Sequence, residues 1–353
     1  MLTACGGSPN SQSQFFNSDN YPEKLSDWGL IWLDENSIKI SEDSMIYRLN
    51  SPLFSDYALK LRTLRIPENQ SASYDAYQTF GFPAGTVVSK TFFYASSGND
   101  SVSLESNWNG KLDQLERNAI RLIETRLLVK QPSGWEALPY VWKGDDAYLQ
   151  ITGDLIELPV FTAKASIPYL VPSKNQCASC HVTDHTEGSL LPIGLKARHL
   201  NHSKTPNGQN QLAVLSKTNR LTGFSAPEDS PANADFTNPQ EPLAKRARAY
   251  LDINCSHCHN AKGPADTSAL LLEYENIEPR SYGVCKPPIA SGRGSGGLLY
   301  SIVPGSADLS IMSFRLGSRD PAEMMPELGR TLVHQEGLAL IDEWINSMSG
   351  ECI

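Results

Sequence analysis

Alternation between apolar and polar residues marks much of the chain from Tyr21 to Pro172. The clearest case is the segment 121–130, whose one face would carry Ile123, Thr125, Leu127 and Val129. Its opposite face would carry Glu124, Arg126 and Lys130. This period of two is typical of a half-buried antiparallel strand. Similar runs occupy residues 86–94, 135–142 and 149–161, so the pattern predicts a mainly β, sandwich-like domain over residues 21–172.

The pattern becomes helical after residue 241. Apolar residues at i, i+4, i+7 and i+8 predict a helix that runs to Cys255, with one face made by Leu243, Ala247, Tyr250 and Leu251. A closing helix, ended by Gly350, is predicted from the stripe Leu338, Ile341, Ile345 and Met348. Residues 173–240 read as a short helical segment and a Pro-rich linker. We therefore predict a multidomain chain with an N-terminal mainly β domain and a C-terminal mainly α domain over 241–353.

Composition and charge argue against two classes of protein, those that span a membrane and those that bind nucleic acid. No apolar run reaches about 18 residues, so no transmembrane helix is predicted. The formal net charge is -9, and the sequence carries no basic stripe. This balance argues against nucleic acid as a partner.

Four of the seven cysteines occur in two C-x-x-C-H motifs. The first consists of Cys177 and Cys180 followed by His181, and the second of Cys255 and Cys258 followed by His259. This is the attachment signature of c-type heme. Two thiols one short turn apart can reach both vinyl groups of a porphyrin, and the following imidazole ligates the iron. We therefore predict two covalent heme c groups, heme 1 at the first motif and heme 2 at the second.

Zinc binding and thiol redox chemistry are the two alternatives for paired cysteines. A zinc ribbon places its pairs about 15–20 residues apart, whereas these pairs are about 75 residues apart. Zinc binding also gives no reason for a histidine after each pair. A thioredoxin-like redox site needs one pair in a βαβ setting, and the sequence shows none. The paired motifs therefore favour heme.

The remaining cysteines indicate the compartment. Leu2-Thr3-Ala4-Cys5 resembles a bacterial lipobox, in which the cysteine is acylated, and Gly6 suits sorting to the outer membrane. Residues 1–20 are accordingly predicted to be a lipoprotein-type N-terminus with a flexible tether. Heme c is attached outside the cytoplasm, where disulfides persist. We predict a Cys285–Cys352 disulfide, which would close a loop of about 68 residues and contribute about 4 kcal/mol.

The C-terminal part, residues 241–353, resembles a class I cytochrome c domain, because a helix leads into C-x-x-C-H and another closes the segment. This resemblance implies a loop methionine as the distal ligand of heme 2. Met325, in Met324-Met325-Pro326, is the first choice, and Met324 is its rival. Such a ligand raises the reduction potential of the iron.

The distal ligand of heme 1 stays open at this point, because no methionine lies between the two motifs. The nearby candidates are His185, His199 and His202, and the distant ones are Met45, Met312, Met348 and His334. The sixth position could also be empty. An open iron can bind a small molecule and react with it, whereas a six-coordinate iron mainly passes electrons.

The whole chain resembles a family of bacterial diheme c-type cytochromes of unassigned role. Besides the motifs, the resemblance rests on Leu53-Phe54-Ser55-Asp56-Tyr57-Ala58, Leu191-Pro192-Ile193-Gly194 and Met324 to Arg330. It implies a periplasmic electron carrier that serves a redox partner protein or a respiratory chain component. Membrane contact is expected only through a lipid anchor at Cys5. The alternative is a heme enzyme, such as a peroxidase-like reductase, with heme 1 as the open catalytic iron and heme 2 as the electron feeder.

Overall fold

The computed structural model describes residues 13–34, 37–98, 100–104, 108–161, 165–289 and 291–353. The lipobox-like Cys5 lies outside these ranges. The strands are β1 (Ile31–Asp34), β2 (Ser37–Ile40), β3 (Ser44–Ile46), β4 (Leu59–Arg65), β5 (Ala72–Ser73), β6 (Val87–Ser96), β7 (Val102–Ser103), β8 (Ile120–Gln131), β9 (Gly134–Lys143), β10 (Asp146–Leu149), β11 (Asp154–Val160), β12 (Ala165–Val171) and β13 (Leu221–Thr222). The α-helices are α1 (Ala178–His181), α2 (Ala197–Leu200), α3 (Gln211–Lys217), α4 (Leu243–Cys255), α5 (Ile311–Gly317) and α6 (Gln335–Asn346). No helix within these ranges is both long and apolar enough to cross a lipid bilayer.

Nine strands form one branched sheet in the order β10-β9-β8-β6-β7-β11-β12, and β4 also pairs with β6 and carries β3 on its other edge. Its neighbouring strands are antiparallel, except that β7 and β11 run parallel. Two small sheets, β1-β2 and β5-β13, lie outside it. The expected sandwich of two sheets is therefore wrong, because nine of the strands join into a single sheet.

The predicted strands at 86–94, 121–130 and 135–142 are confirmed as β6, β8 and β9. The expectation that β8 is buried on one face only is wrong. Leu127 packs with Trp28 in one apolar cluster, and Leu128 packs with Cys177 in another cluster on the opposite face. The face with charged residues is therefore not free for solvent, because the segment that carries the first motif covers it.

The prediction of a C-terminal mainly α domain of the cytochrome c type is also wrong. Helices α4 and α6 form where the apolar stripes predicted them, and they pack together in one apolar cluster. Between them the structure adds, within the described residues, one seven-residue α-helix, α5, and three short 3-10 helices, and turns and loops make up most of the rest. Pro and Gly recur through residues 264–305, and these residues interrupt helices. The architecture as a whole is mostly β.

The predicted disulfide is present. Cys285 and Cys352 are bonded, with their Cα atoms 5.1 Å apart. The backbone N–H of Cys285 also donates to the carbonyl of Ile302 at 2.9 Å. The bond therefore fastens the residues after α6 to the loop region in front of α5.

A buried ion pair connects the two motif-bearing segments. Arg198 of α2 donates from Nε and from a terminal nitrogen to the carboxylate of Asp252 in α4, at 2.7 and 2.9 Å. Asn233 donates to the same carboxylate at 2.7 Å. Both charged side chains are almost fully buried. Helix α4, which leads into the second motif, is thereby fixed to the segment that follows the first motif.

Candidate functional site

The two C-x-x-C-H motifs lie against each other, although Cys255 follows Cys180 by 75 residues along the chain. The thiol of Cys258 donates to the carbonyl of Ser179 at 3.4 Å. The Asn260 side chain donates to the carbonyl of Thr183 at 3.2 Å, just beyond the first motif. Two cofactors bound at these motifs would therefore be neighbours.

Local helical structure gives each motif its geometry. The first motif forms the short helix α1 after a 3-10 turn, Asn175–Cys177. In the second, the backbone N–H groups of Cys258 and His259 both bond to the carbonyl of Cys255, so the helical turn continues beyond α4. Positions i, i+3 and i+4 of a helical turn share one face. Both thiols and the following imidazole of each motif are therefore presented on the same side.

A large cavity, which we name the first cavity, opens in front of the first motif. The empty space between its lining atoms is about 1350 Å³, a volume that includes open solvent. The motif contributes Cys177, Cys180 and His181 to its wall. The branched sheet contributes the facing wall, including Arg62, Val88, Lys90, Arg126, Leu128 and Ala137. The space is suited to a large, mostly apolar ligand.

Each histidine that follows a motif has its Nδ1 atom engaged by a protein oxygen. Nδ1 of His181 lies 2.7 Å from the carbonyl oxygen of Leu191, so this nitrogen is the donor. Nδ1 of His259 lies 3.3 Å from Oγ of Ser268. Burial lowers the pKa of His181 and of His259 to about 4, so both rings are neutral at neutral pH. For His181 this tautomer leaves the lone pair on Nε2, as a metal-ligating histidine requires.

A row of three cations crosses the sheet on the wall of the first cavity. Arg62 of β4 is directly opposite Lys90 of β6, which is directly opposite Arg126 of β8. Like charges at opposed positions repel each other and destabilise a sheet. Lys60, two residues before Arg62, adds a fourth cation, and three of the four surround the ring of Phe92 at 4.4–5.6 Å. We call these four residues the cation row.

The cation row has too few anionic partners in the chain. Among the described residues, its one ion pair joins Arg126 to Glu124. Burial and the neighbouring guanidinium groups lower the pKa of Lys90 to about 7, and burial also lowers the pKa of Lys60 strongly. A ligand that brings carboxylates into the first cavity would relieve this excess. The two propionates of a heme are such groups, so the residues present fit heme.

A smaller cavity of about 310 Å³, the second cavity, lies beside α4. Met325 lines it together with Tyr250, Arg330 and His334, whereas Met324 is buried and does not. The backbone N–H of Met325 donates to the carbonyl of Arg315 at 3.0 Å. Of the two methionines predicted as ligands of heme 2, Met325 therefore lines a cavity beside α4, although Cys255, Cys258 and His259 are not among the residues that line it.

The stretch Leu53 to Ala58 contacts the loop that contains Met324 and Met325 and continues to Leu332. The carboxylate of Asp56 accepts hydrogen bonds from the backbone N–H groups of Thr331 and Leu332, at 2.7–2.9 Å. The ring of Phe54 stacks on His334 with 4.2 Å between centroids. Phe54 also lines both cavities, so it lies between them.

The candidates for the distal ligand of heme 1 all lie away from the first cavity. His185 contacts the carbonyl of Gly263, His199 lies 3.6 Å from Asp252, and His202 contacts the carbonyl of Arg48. His334 lines the second cavity, while Met45, Met312 and Met348 pack in apolar clusters. The sequence reasoning passed over His257, which lines the first cavity.

The geometry does not favour the other two uses of paired cysteines. Within the described ranges, no three His, Cys, Asp or Glu side chains converge in a way that could hold a metal ion. Burial raises the pKa of all four motif thiols, to about 12 for Cys255 and Cys258. Redox-active thiols have lowered pKa values, because the thiolate is the nucleophile.

Similarity to other proteins contributes nothing to the interpretation of this site. Comparisons with protein-family models, with curated proteins and with solved structures found no match for the chain.

Proposed function

We propose that the protein is an extracytoplasmic diheme c-type cytochrome that transfers electrons through two covalently bound hemes. The packing of the two motif segments against each other carries this proposal, because it makes the two attachment points neighbours. The Asn260 side chain donates to the carbonyl of Thr183, and the backbone N–H of His185 donates to the carbonyl of Lys262. A bound heme supplies an iron that can hold or release one electron. Attachment of heme c and the Cys285–Cys352 disulfide both belong to an oxidising compartment. A redox protein outside the cytoplasm is therefore the expected partner.

Different residues of the chain would attach, ligate and surround each heme. Cys177 and Cys180 would carry heme 1, and Cys255 and Cys258 would carry heme 2. His181 would ligate the first iron, with the carbonyl of Leu191 fixing its ring. His259 would ligate the second iron, and Met325 on the second cavity is the proposed distal ligand there. The sheet would supply the cation row to the propionates of heme 1.

A heme enzyme is the second candidate, favoured because none of the distal ligands predicted for heme 1 lines the first cavity. If the sixth position of heme 1 were open, its iron could bind a small molecule and react with it. Peroxide turnover together with a high-spin ferric signal would favour this function over electron transfer.

Heme content tests the proposal directly. The protein, made in a host that matures c-type cytochromes, is expected to carry two hemes per chain by pyridine hemochrome and intact mass. Cys177→Ala and Cys255→Ala are each expected to lower the count to one, because each removes a thioether bond from one porphyrin. Cys285→Ser is the matched control and should keep both hemes. Colourless wild-type protein, or metal that chelators remove, would contradict the proposal.

Lys90→Met tests the role of the cation row. A positive charge near an iron favours its reduced state, so its removal is expected to lower the midpoint potential of one heme, on the order of 50 mV. The titration belongs below pH 7, since Lys90 has a pKa of about 7. Lys39→Met, on the separate strand β2, is the matched control and should leave both potentials unchanged. An unchanged potential in Lys90→Met would show that the row does not face heme 1.

A further inference from the structure

A buried histidine inside the second motif has no part in binding the heme of that motif. His257 occupies the position before Cys258 and is only 6% exposed. Its Nδ1 atom is buried and has no hydrogen-bond partner among the described residues. A buried polar atom without a partner is destabilising. A partner that the polypeptide does not itself provide would explain why this imidazole is buried here.

The helical turn that extends α4 determines the helical face on which the His257 side chain lies. Ile253 and His257 are four residues apart and therefore lie on one helical face. Both line the first cavity, as does Asn254. His257 thus shares this cavity with Cys177, Cys180 and His181, although it belongs to the other motif.

The other potential iron ligands are in worse positions. No methionine and no histidine other than His181 and His257 lines the first cavity within the described part of the chain. Lys90 also lines it, but its place in the cation row assigns it to an anion rather than to a metal. His257 is therefore the one imidazole besides His181 that lines this cavity among the described residues.

We propose that His257 is the distal ligand of heme 1, an assignment that rests on the proposed diheme function. His257 and His259 would then hold two different irons with a single residue, Cys258, between them. This arrangement fixes the spacing of the hemes through the backbone of one motif. It also closes the sixth position of heme 1, which favours electron transfer over catalysis. With two imidazoles on heme 1 and a methionine on heme 2, heme 1 has the lower reduction potential.

The test uses the full-length matured protein and reads spin state, carbon monoxide binding and heme count. In the wild type, both ferric hemes are expected to be low-spin, and the reduced protein should bind no carbon monoxide. In His257→Ala, one of the two hemes is expected to become high-spin and, when reduced, to bind one carbon monoxide per chain. The heme count should stay at two, and added imidazole should restore the low-spin signal.

Two further variants keep the test decisive. His257→Met should keep heme 1 six-coordinate and raise its midpoint potential, which remains measurable if the alanine variant folds poorly. His185→Ala is the matched control, because His185 lies between the motif segments but off the cavity, and it should leave the spectra unchanged.

Several outcomes would overturn the assignment. Two low-spin hemes in His257→Ala would show that another group ligates heme 1, and loss of the low-spin signal in Lys90→Met alone would identify that group as the lysine. A wild-type protein with one high-spin heme that binds carbon monoxide would show an open site. Absence of covalent heme from the wild type would instead refute the proposed function, and the heme count separates this failure from the others.

Discussion

Asp252→Asn is expected to lower the free energy of unfolding by about 3–5 kcal/mol, because it leaves Arg198 buried without its main counter-charge. The carboxylate accepts two hydrogen bonds from Arg198 and one from Asn233. Both members of the ion pair are almost fully buried. Glu275 also lies 3.2 Å from Arg198, but it is partly exposed and offsets only part of the loss. Urea unfolding of the matured protein, followed by circular dichroism, would measure the change.

The pKa of Asp252 gives this contribution its pH dependence. Burial alone would raise the pKa, but the ion pair with Arg198 and the hydrogen bonds lower it well below the usual value. The stabilisation is therefore present above the unfolded-state pKa of about 3.9 and is lost as the pH falls below it.

Two variants make the Asp252 test specific. Asp229→Asn removes an exposed carboxylate and should change the free energy of unfolding by less than about 0.5 kcal/mol. The double variant Arg198→Met/Asp252→Asn removes both charges and should recover part of the loss. A single Asp252→Asn variant as stable as the wild type would show that the ion pair does not join the two motif segments in solution.

Removal of the disulfide is expected to cause the second large change in the free energy of unfolding. The double variant Cys285→Ser/Cys352→Ser is expected to lose about 4 kcal/mol of unfolding free energy, because the unfolded chain gains the freedom that the closed loop denied it. Thermal unfolding of the matured protein would show the loss as a lower Tm. Both hemes should remain, since neither cysteine belongs to a motif.

Alkylation followed by mass measurement tests directly whether the disulfide is present. Alkylation of the denatured wild type without reductant should add no mass at Cys285 or Cys352, and reduction before alkylation should add two labels. Label on these residues without reductant would contradict the bond, and an unchanged Tm in the double variant would show that the bond contributes nothing to stability.

The sequence alone determined the local features of this protein. The i, i+4, i+7 and i+8 stripe predicted α4, and the period of two predicted β8, because the period of the apolar pattern indicates the type of element. The burial of both faces of β8 was not predicted, because it depends on segments far away in the sequence. The spacing within each C-x-x-C-H motif also indicated the cofactor chemistry, since both thiols and the imidazole lie within one helical turn. Assignment of the other five cysteines to the two motifs and to the lipobox-like Cys5 left Cys285 and Cys352 as a pair, and the structure contains this disulfide.

Only the tertiary structure decided how distant segments meet. Strand register brought Arg62, Lys90 and Arg126 into one row, and register depends on pairing between residues far apart in the chain. The same long-range packing merged the expected sandwich into one sheet and left the C-terminal part mostly in loops. It also turned His257 of the second motif toward the cavity of the first. Contacts between the motifs involve residues almost eighty positions apart, and no local periodicity can encode such contacts.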